Sequence, residues 1–146
     1  MAVEEMTPAQ AWALLESADE GGKPAAFLVD VRTQAEWAFV GVPALTPQMP
    51  RLVTLEWQSF PHMQINPDFP TVLHQHVRAS GGDETTPLCF LCRSGVRSLH
   101  AAQAMEALGY TKTINVTGGF EGDLNGEGKR GSVNGWKVNG LPWRQA

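Results

Sequence analysis

Cysteine, tyrosine and uninterrupted apolar sequence are all scarce in this 146-residue chain, which has two cysteines and one tyrosine. Two cysteines cannot build a disulfide framework, so the fold has to rest on a packed core, and the chain is long enough for one domain spanning residues 1–146. No apolar stretch approaches the roughly 20 residues that a membrane-crossing helix needs. The 11 lysines and arginines form no run and the formal net charge is −4, which argues against a phosphate-tracking surface and a nucleic-acid partner. Residues 1–20 carry Glu4, Glu5, Glu16, Asp19 and Glu20, with neither a basic start nor an apolar core of a leader. The expectation is a cytoplasmic chain with no membrane and no nucleic-acid partner.

Against that plain background one stretch stands out, Leu88-Cys89-Phe90-Leu91-Cys92-Arg93-Ser94-Gly95-Val96-Arg97-Ser98. An apolar strand delivers Cys92 into a short loop with a glycine and two arginines, and a helix follows at once. A free thiol with a pKa of about 8.5 is only about 3% thiolate at neutral pH. Guanidinium groups, a helix N-terminus and inward-turned loop amides all favour the charged, nucleophilic form. The spacing Cys89-x-x-Cys92 also imitates a redox or half-zinc motif. On a strand, however, three residues at about 3.3 Å each separate the α-carbons by about 10 Å, beyond the roughly 7 Å limit for a bridge. Alternation then sends the two thiols to opposite faces, leaving Cys89 as a small buried hydrophobe and no shared metal site.

The rest of the chain alternates strand and helix signals. Thr7-Pro8-Ala9-Gln10 is a capping box that opens a helix with Ala11, Leu14, Leu15 and Ala18 inward, closed by Gly21-Gly22. Residues 26–31 form a nearly continuous apolar run, the signature of a strand covered on both faces. Thr33-Gln34-Ala35-Glu36 is a second capping box, and residues 52–57 read as another strand. Asn66-Pro67-Asp68 caps a helix with Phe69, Val72, Leu73 and His76 on one face. After the cysteine loop come the stripe Ala101, Ala104, Met105 and Leu108, a C-terminal Gly109, and the strand Thr113–Val116. Such alternation predicts an α/β fold of three layers, a central parallel sheet of about five strands with helices on both faces. Functional groups then gather at the carboxyl ends of the strands, where Cys92 and Asp30–Arg32 lie. The segment Asp123-x-Asn125-x-Glu127-Gly128 resembles the start of a calcium loop but has Asn134 at its twelfth position, so it reads as a solvated turn.

Taken together, three places resemble the rhodanese family of sulfurtransferases. Cys92-Arg93-Ser94-Gly95-Val96-Arg97-Ser98 is similar to the active-site loop of single-domain bacterial members and the helix behind it. Asp30-Val31-Arg32, Glu36-Trp37, Gly41, Pro43 and Ala44 resemble the upstream signature. Gly118-Gly119, Trp136 and Gly140-Leu141-Pro142 resemble the closing motif. The resemblance implies a persulfide relay on Cys92, fed by a small anionic sulfur donor such as thiosulfate or a persulfide. A thiol, cyanide or a protein sulfur carrier would drain it, and no metal or organic cofactor is involved. Arg93, Ser94, Gly95, Val96, Arg97 and Ser98 would bind substrate. Asp30 and Arg32 would support the site, Asp30 by holding loop amides and Arg32 by pairing with Glu36. Arg97 opposes the helix dipole, so it calls for substrate charge or a buried acidic partner. Trp136 is the aromatic expected at the pocket mouth.

Two departures stand out from the family pattern. Val42 occupies a place where many relatives have histidine, and sixteen residues, 120–135, separate Gly119 from Trp136 where the family has few. This insertion should emerge at the Cys92 edge as a rim or lid. Two other functions compete with sulfur transfer. A phosphatase or arsenate reductase of related fold needs five residues between cysteine and arginine, and here Cys92 and Arg97 enclose four. A non-catalytic interaction module would have little use for the cysteine and its arginines.

Overall fold

The computed structural model describes residues 3–17, 21–45, 51–59 and 61–145. In chain order the elements are β1 (Glu4–Met6), α1 (Pro8–Glu16), β2 (Phe27–Asp30), α2 (Gln34–Phe39), β3 (Val42–Pro43), β4 (Leu52–Thr54) and β5 (Gln58–Ser59). They continue with β6 (Gln64–Ile65), α3 (Phe69–Ala79), β7 (Leu88–Leu91), α4 (Val96–Ala107), β8 (Thr113–Val116) and β9 (Trp143–Arg144). Five strands make the central sheet in the order β1-β8-β7-β2-β4, and every neighbouring pair is parallel. This is the α/β architecture expected from the alternating pattern.

Residues of β2, β7 and β8 are buried throughout, because both faces of the sheet are covered. Alternation splits their side chains between two cores. Phe27, Val29, Leu88 and Phe90 pack with Phe69, Leu73 and Val77 of α3 and with Ala101, Ala102 and Met105 of α4. Leu28, Cys89, Leu91, Ile114 and Val116 pack with Ala11 and Leu15 of α1 and with Phe120 and Trp136 from the C-terminal segment. Cys92 belongs to the first core and Cys89 to the second, so the two thiols do occupy opposite faces.

Several local expectations need correction. The α3 stripe is Phe69, Leu73 and Val77, while Val72 and His76 face solvent, a register that the apolar residues alone left open by one position. Asp68 makes no side-chain cap; Asn66 Oδ1 instead accepts the Asp68 N–H at 3.0 Å. Helix α1 stops at Glu16, before the glycine pair, and Ala18 lies outside the described residues. Leu108 is half exposed because α4 ends beneath it. Strand β1, unforeseen, pairs Glu4, Glu5 and Met6 with Ile114, Asn115 and Val116. An edge strand has only one ladder to satisfy and keeps solvent on its flank, so it needs no apolar run.

Two small antiparallel pairs finish the frame. Strand β9 returns to β3 and ties the chain end to the segment after α2, and β5 and β6 form a hairpin. Among the described residues no helix is long and apolar enough to cross a membrane.

Candidate active site

Strand β7 lies between β8 and β2, and its carboxyl end releases Cys92 into the loop before α4. Cys92 is 1% exposed and lines a cavity of about 940 Å³. Gly95 is the residue that turns the chain back over the thiol. With φ at 121°, in a region that side chains disfavour, Gly95 directs its N–H to Cys92 Sγ at 3.1 Å. Gly95 also occupies the N-cap of α4, so the sulfur lies at the positive end of that helix.

Ser98, one turn into α4, is fully buried, and its Oγ stands 3.2 Å from Sγ. It is therefore a contact of the sulfur and not a cap. The hydroxyl donates to Asn115 Oδ1 at 2.6 Å, and Asn115 Nδ2 in turn donates to the Gly95 carbonyl at 3.1 Å. Asn115 thus ties strand β8 to both the serine and the turn that hold the sulfur. Nothing in the functional reading of the sequence singled it out. The available signal was a lone amide between Ile114 and Val116 in a buried strand, since a buried amide needs partners.

A second support comes from the glycine pair after β8. The Cys92 carbonyl accepts the Phe120 N–H at 2.8 Å, and the Arg93 carbonyl accepts those of Glu121 at 3.0 Å and Gly122 at 3.2 Å. This contact is possible because Gly119 (φ 63°) has no side chain, as a Cβ there would lie 2.5 Å from the Cys92 carbonyl oxygen. The closing motif is in contact with the cysteine loop and shapes it.

The charged residues pair differently from the sequence expectation. Arg32 does not pair with Glu36. Its guanidinium donates to Asp30 through Nε at 2.9 Å and Nη2 at 2.7 Å, and Nη2 also reaches the Gly41 carbonyl at 2.7 Å. Both side chains are fully buried. Asp30 holds one loop amide, that of Arg32 itself, at 3.2 Å. The planar Arg32 guanidinium lies 4.2 Å from the Phe120 ring centroid, which faces the positive charge where Nη1 has no hydrogen-bond acceptor. A bidentate fork to a carboxylate two residues away is a shorter and better-shaped reach than Glu36 on the next helix.

Glu36 is instead the acidic partner of Arg97, at 2.7 Å and 2.9 Å to the two guanidinium nitrogens. Burial pushes its carboxyl pKa up, but the Arg97 hydrogen bonds and charge, with the Thr33 N–H and hydroxyl, leave it below its ordinary value near 4.5. A lowered carboxyl pKa stabilises the fold above that ordinary value, and the gain is lost as pH falls through the lower folded value. Glu36→Gln is therefore expected to cost about 1 kcal/mol at pH 7, limited by partial solvent screening. Thermal melts should show the gap to the parent protein narrowing as pH falls below the ordinary carboxyl value near 4.5.

Arg93 is exposed and, with Ser94, Val96 and Arg97, lines the cavity beside Cys92. From the 120–135 segment, Glu121, Leu124, Lys129 and Arg130 line the same cavity, as does Met63 of the β5–β6 hairpin. Trp136 is not at the mouth. It is fully buried, donates Nε1–H to the Pro142 carbonyl at 2.8 Å, and meets Trp12 edge-on at 5.8 Å. Cys89 is likewise remote from this chemistry, its thiol pushed up to about 12 by burial.

Known proteins bear on this geometry in three ways. The sequence model of the rhodanese-like domain matches residues 7–125. An uncharacterized protein of Rickettsia conorii, RC0915, is 36% identical over 144 residues, covering 99% of each chain. The crystal structure of Rv0390 from M. tuberculosis is 40% identical, covers 100% of both chains and superposes with a TM-score of 0.79. A solution structure of the polysulfide-sulfur transferase homodimer from Wolinella succinogenes is 20% identical with a TM-score of 0.58, covering 99% of this chain and 80% of its own. At that identity it shares the fold.

Proposed function

Because this chain belongs to the rhodanese-like domain family, we propose that it is a sulfurtransferase working through a persulfide on Cys92. The observation that carries the reading is a cavity-lining cysteine whose sulfur accepts the Gly95 N–H at 3.1 Å at the start of α4. That arrangement aims a hydrogen-bond donor and a helix N-terminus at the atom that carries charge during the transfer.

In the first half-reaction the Cys92 thiolate attacks the outer sulfur of thiosulfate. A sulfur–sulfur bond forms at Sγ, the bond inside thiosulfate breaks, and its electron pair departs with sulfite. In the second, an acceptor thiolate or cyanide attacks the outer sulfur and the pair returns to Sγ, giving ping-pong kinetics. Ser98 follows these changes by rotating one hydrogen, toward Asn115 when the thiol is neutral and toward sulfur when it is charged. Arg93 is the loop residue placed to attract the anionic donor, since Arg97 is already engaged by Glu36.

The same engagement weakens the phosphatase reading. A tetrahedral phosphate wants the bidentate fork of the loop arginine turned toward it, and in Arg97 that fork is turned to Glu36 through Nη1 and Nη2. Brief exposure to thiosulfate is expected to add about 32 Da to Cys92, and cyanide should remove it. Intact-protein and peptide mass spectrometry read both steps. Hydrolysis of a phosphate ester with no mass gain on Cys92 would reverse the assignment.

A further inference from the structure

From the insertion come half of the basic residues of the cavity, Lys129 and Arg130. Four basic and two acidic side chains line it, and Arg97 is closed off by its bidentate pair with Glu36. That leaves Arg93, Lys129 and Arg130 as cations with no carboxylate at ion-pair distance among the described residues. Arg130 is oriented by donating Nη1–H to the Gly122 carbonyl at 2.7 Å, a neutral partner that leaves its charge uncompensated.

Lys129 and Arg130 stand on an ordered turn. Asn125 Oδ1 accepts the N–H groups of Glu127 at 2.8 Å and Lys129 at 3.0 Å, and the Asn125 N–H donates to the Lys129 carbonyl at 2.7 Å. The calcium-like sequence is spent on holding these two cations at the rim. The same cavity carries apolar lining from Met63, Val96 and Leu124, which are 37%, 64% and 55% exposed. Met63 holds its place at φ 52°, a left-handed backbone that a non-glycine residue adopts only under constraint. A cavity of about 940 Å³ lies at the upper end of the roughly 300–1,000 Å³ that accommodates whole small molecules, far more than thiosulfate fills.

We propose that Lys129 and Arg130 form a subsite for the carboxylates of a peptide-sized thiol that takes the sulfur from Cys92. The inference rests on the persulfide reading of that residue. The acceptor's thiolate reaches down to the outer sulfur and its chain packs on the apolar lining. Its carboxylate meets the two rim cations. A bond forms between the acceptor sulfur and the outer sulfur, the bond to Sγ breaks, and the electron pair stays on Sγ. The products are an acceptor persulfide and a free Cys92 thiolate, with no external oxidant or reductant.

The test is steady-state transfer from thiosulfate to glutathione, a tripeptide thiol with two carboxylates, compared with the neutral 2-mercaptoethanol. In Lys129→Glu/Arg130→Glu protein, kcat/KM for glutathione should fall about tenfold or more relative to that for 2-mercaptoethanol, since each exposed charge contact contributes up to about fivefold. Lys129→Arg should keep the parent ratio. Raising salt from about 20 to about 200 mM should depress the parent's kcat/KM for glutathione and raise that of the charge-reversed protein, where screening relieves repulsion. An equal fall on both acceptors makes the rim merely structural and overturns the subsite, as does an unchanged ratio. Mass spectra taken from the same reactions separate the two levels. If Cys92 gains sulfur but the ratio does not move, only the subsite fails. If Cys92 never gains sulfur, both proposals fail.

Discussion

Cys92→Ser protein is expected to lose at least about a thousandfold of its thiosulfate-dependent sulfur transfer while melting close to the parent temperature. Serine preserves size and keeps a polar atom within reach of the Gly95 N–H and the Ser98 hydroxyl. A hydroxyl cannot carry a sulfane sulfur, so the relay has nowhere to pause. Cys89 offers no substitute. It is fully buried in the opposite core, and its thiol, raised to about 12, stays protonated at neutral pH. The measurement is sulfite release together with the mass of the protein after thiosulfate. Undiminished transfer by this variant would end the case for a covalent relay on Cys92.

The second large effect is on stability, at the buried pair beside the site. Asp30→Ala is expected to destabilise the fold by about 3–5 kcal/mol, because it leaves the Arg32 charge buried without its carboxylate. The remaining contacts, the Gly41 carbonyl at 2.7 Å and the Phe120 ring at 4.2 Å, are both uncharged. In a domain of this size that corresponds to a drop in melting temperature of about 10 °C. A double variant, Asp30→Ala with Arg32→Met, removes the orphaned charge as well and should recover a good part of the loss. Calorimetric melts of the two single variants and the double variant decide this. A double variant no better than the worse single one would mean that the pair acts through shape and not through charge balance.

The capping boxes at Thr7 and Thr33 formed as the sequence predicts, each with its reciprocal hydrogen bonds, because both partners lie within one helical turn. The buried strands β2, β7 and β8 were equally legible, as apolar runs that only a doubly covered sheet can use. Strand β1 was hidden because its glutamates satisfy an edge and not a core. The inward face of α3 was misplaced by a residue type that tolerates either side, Val72, and by His76, whose ring only grazes Phe27 edge-on at 6.4 Å.

Local order along the chain was enough to determine the position of the candidate nucleophile. A cysteine at the end of a buried strand, followed by a glycine-bearing loop and a helix, can be placed without knowing any distant contact. What only the tertiary structure decided is who partners whom. Arg97 met Glu36 across 61 positions and Ser98 met Asn115 across 17. Gly119 gave up its side chain to Cys92, and Lys129 came to face the same cavity as Met63. The physical reason is that capping and strand burial are settled by neighbours along the backbone. Charge pairing and close backbone approach depend on which strand ends the sheet sets side by side.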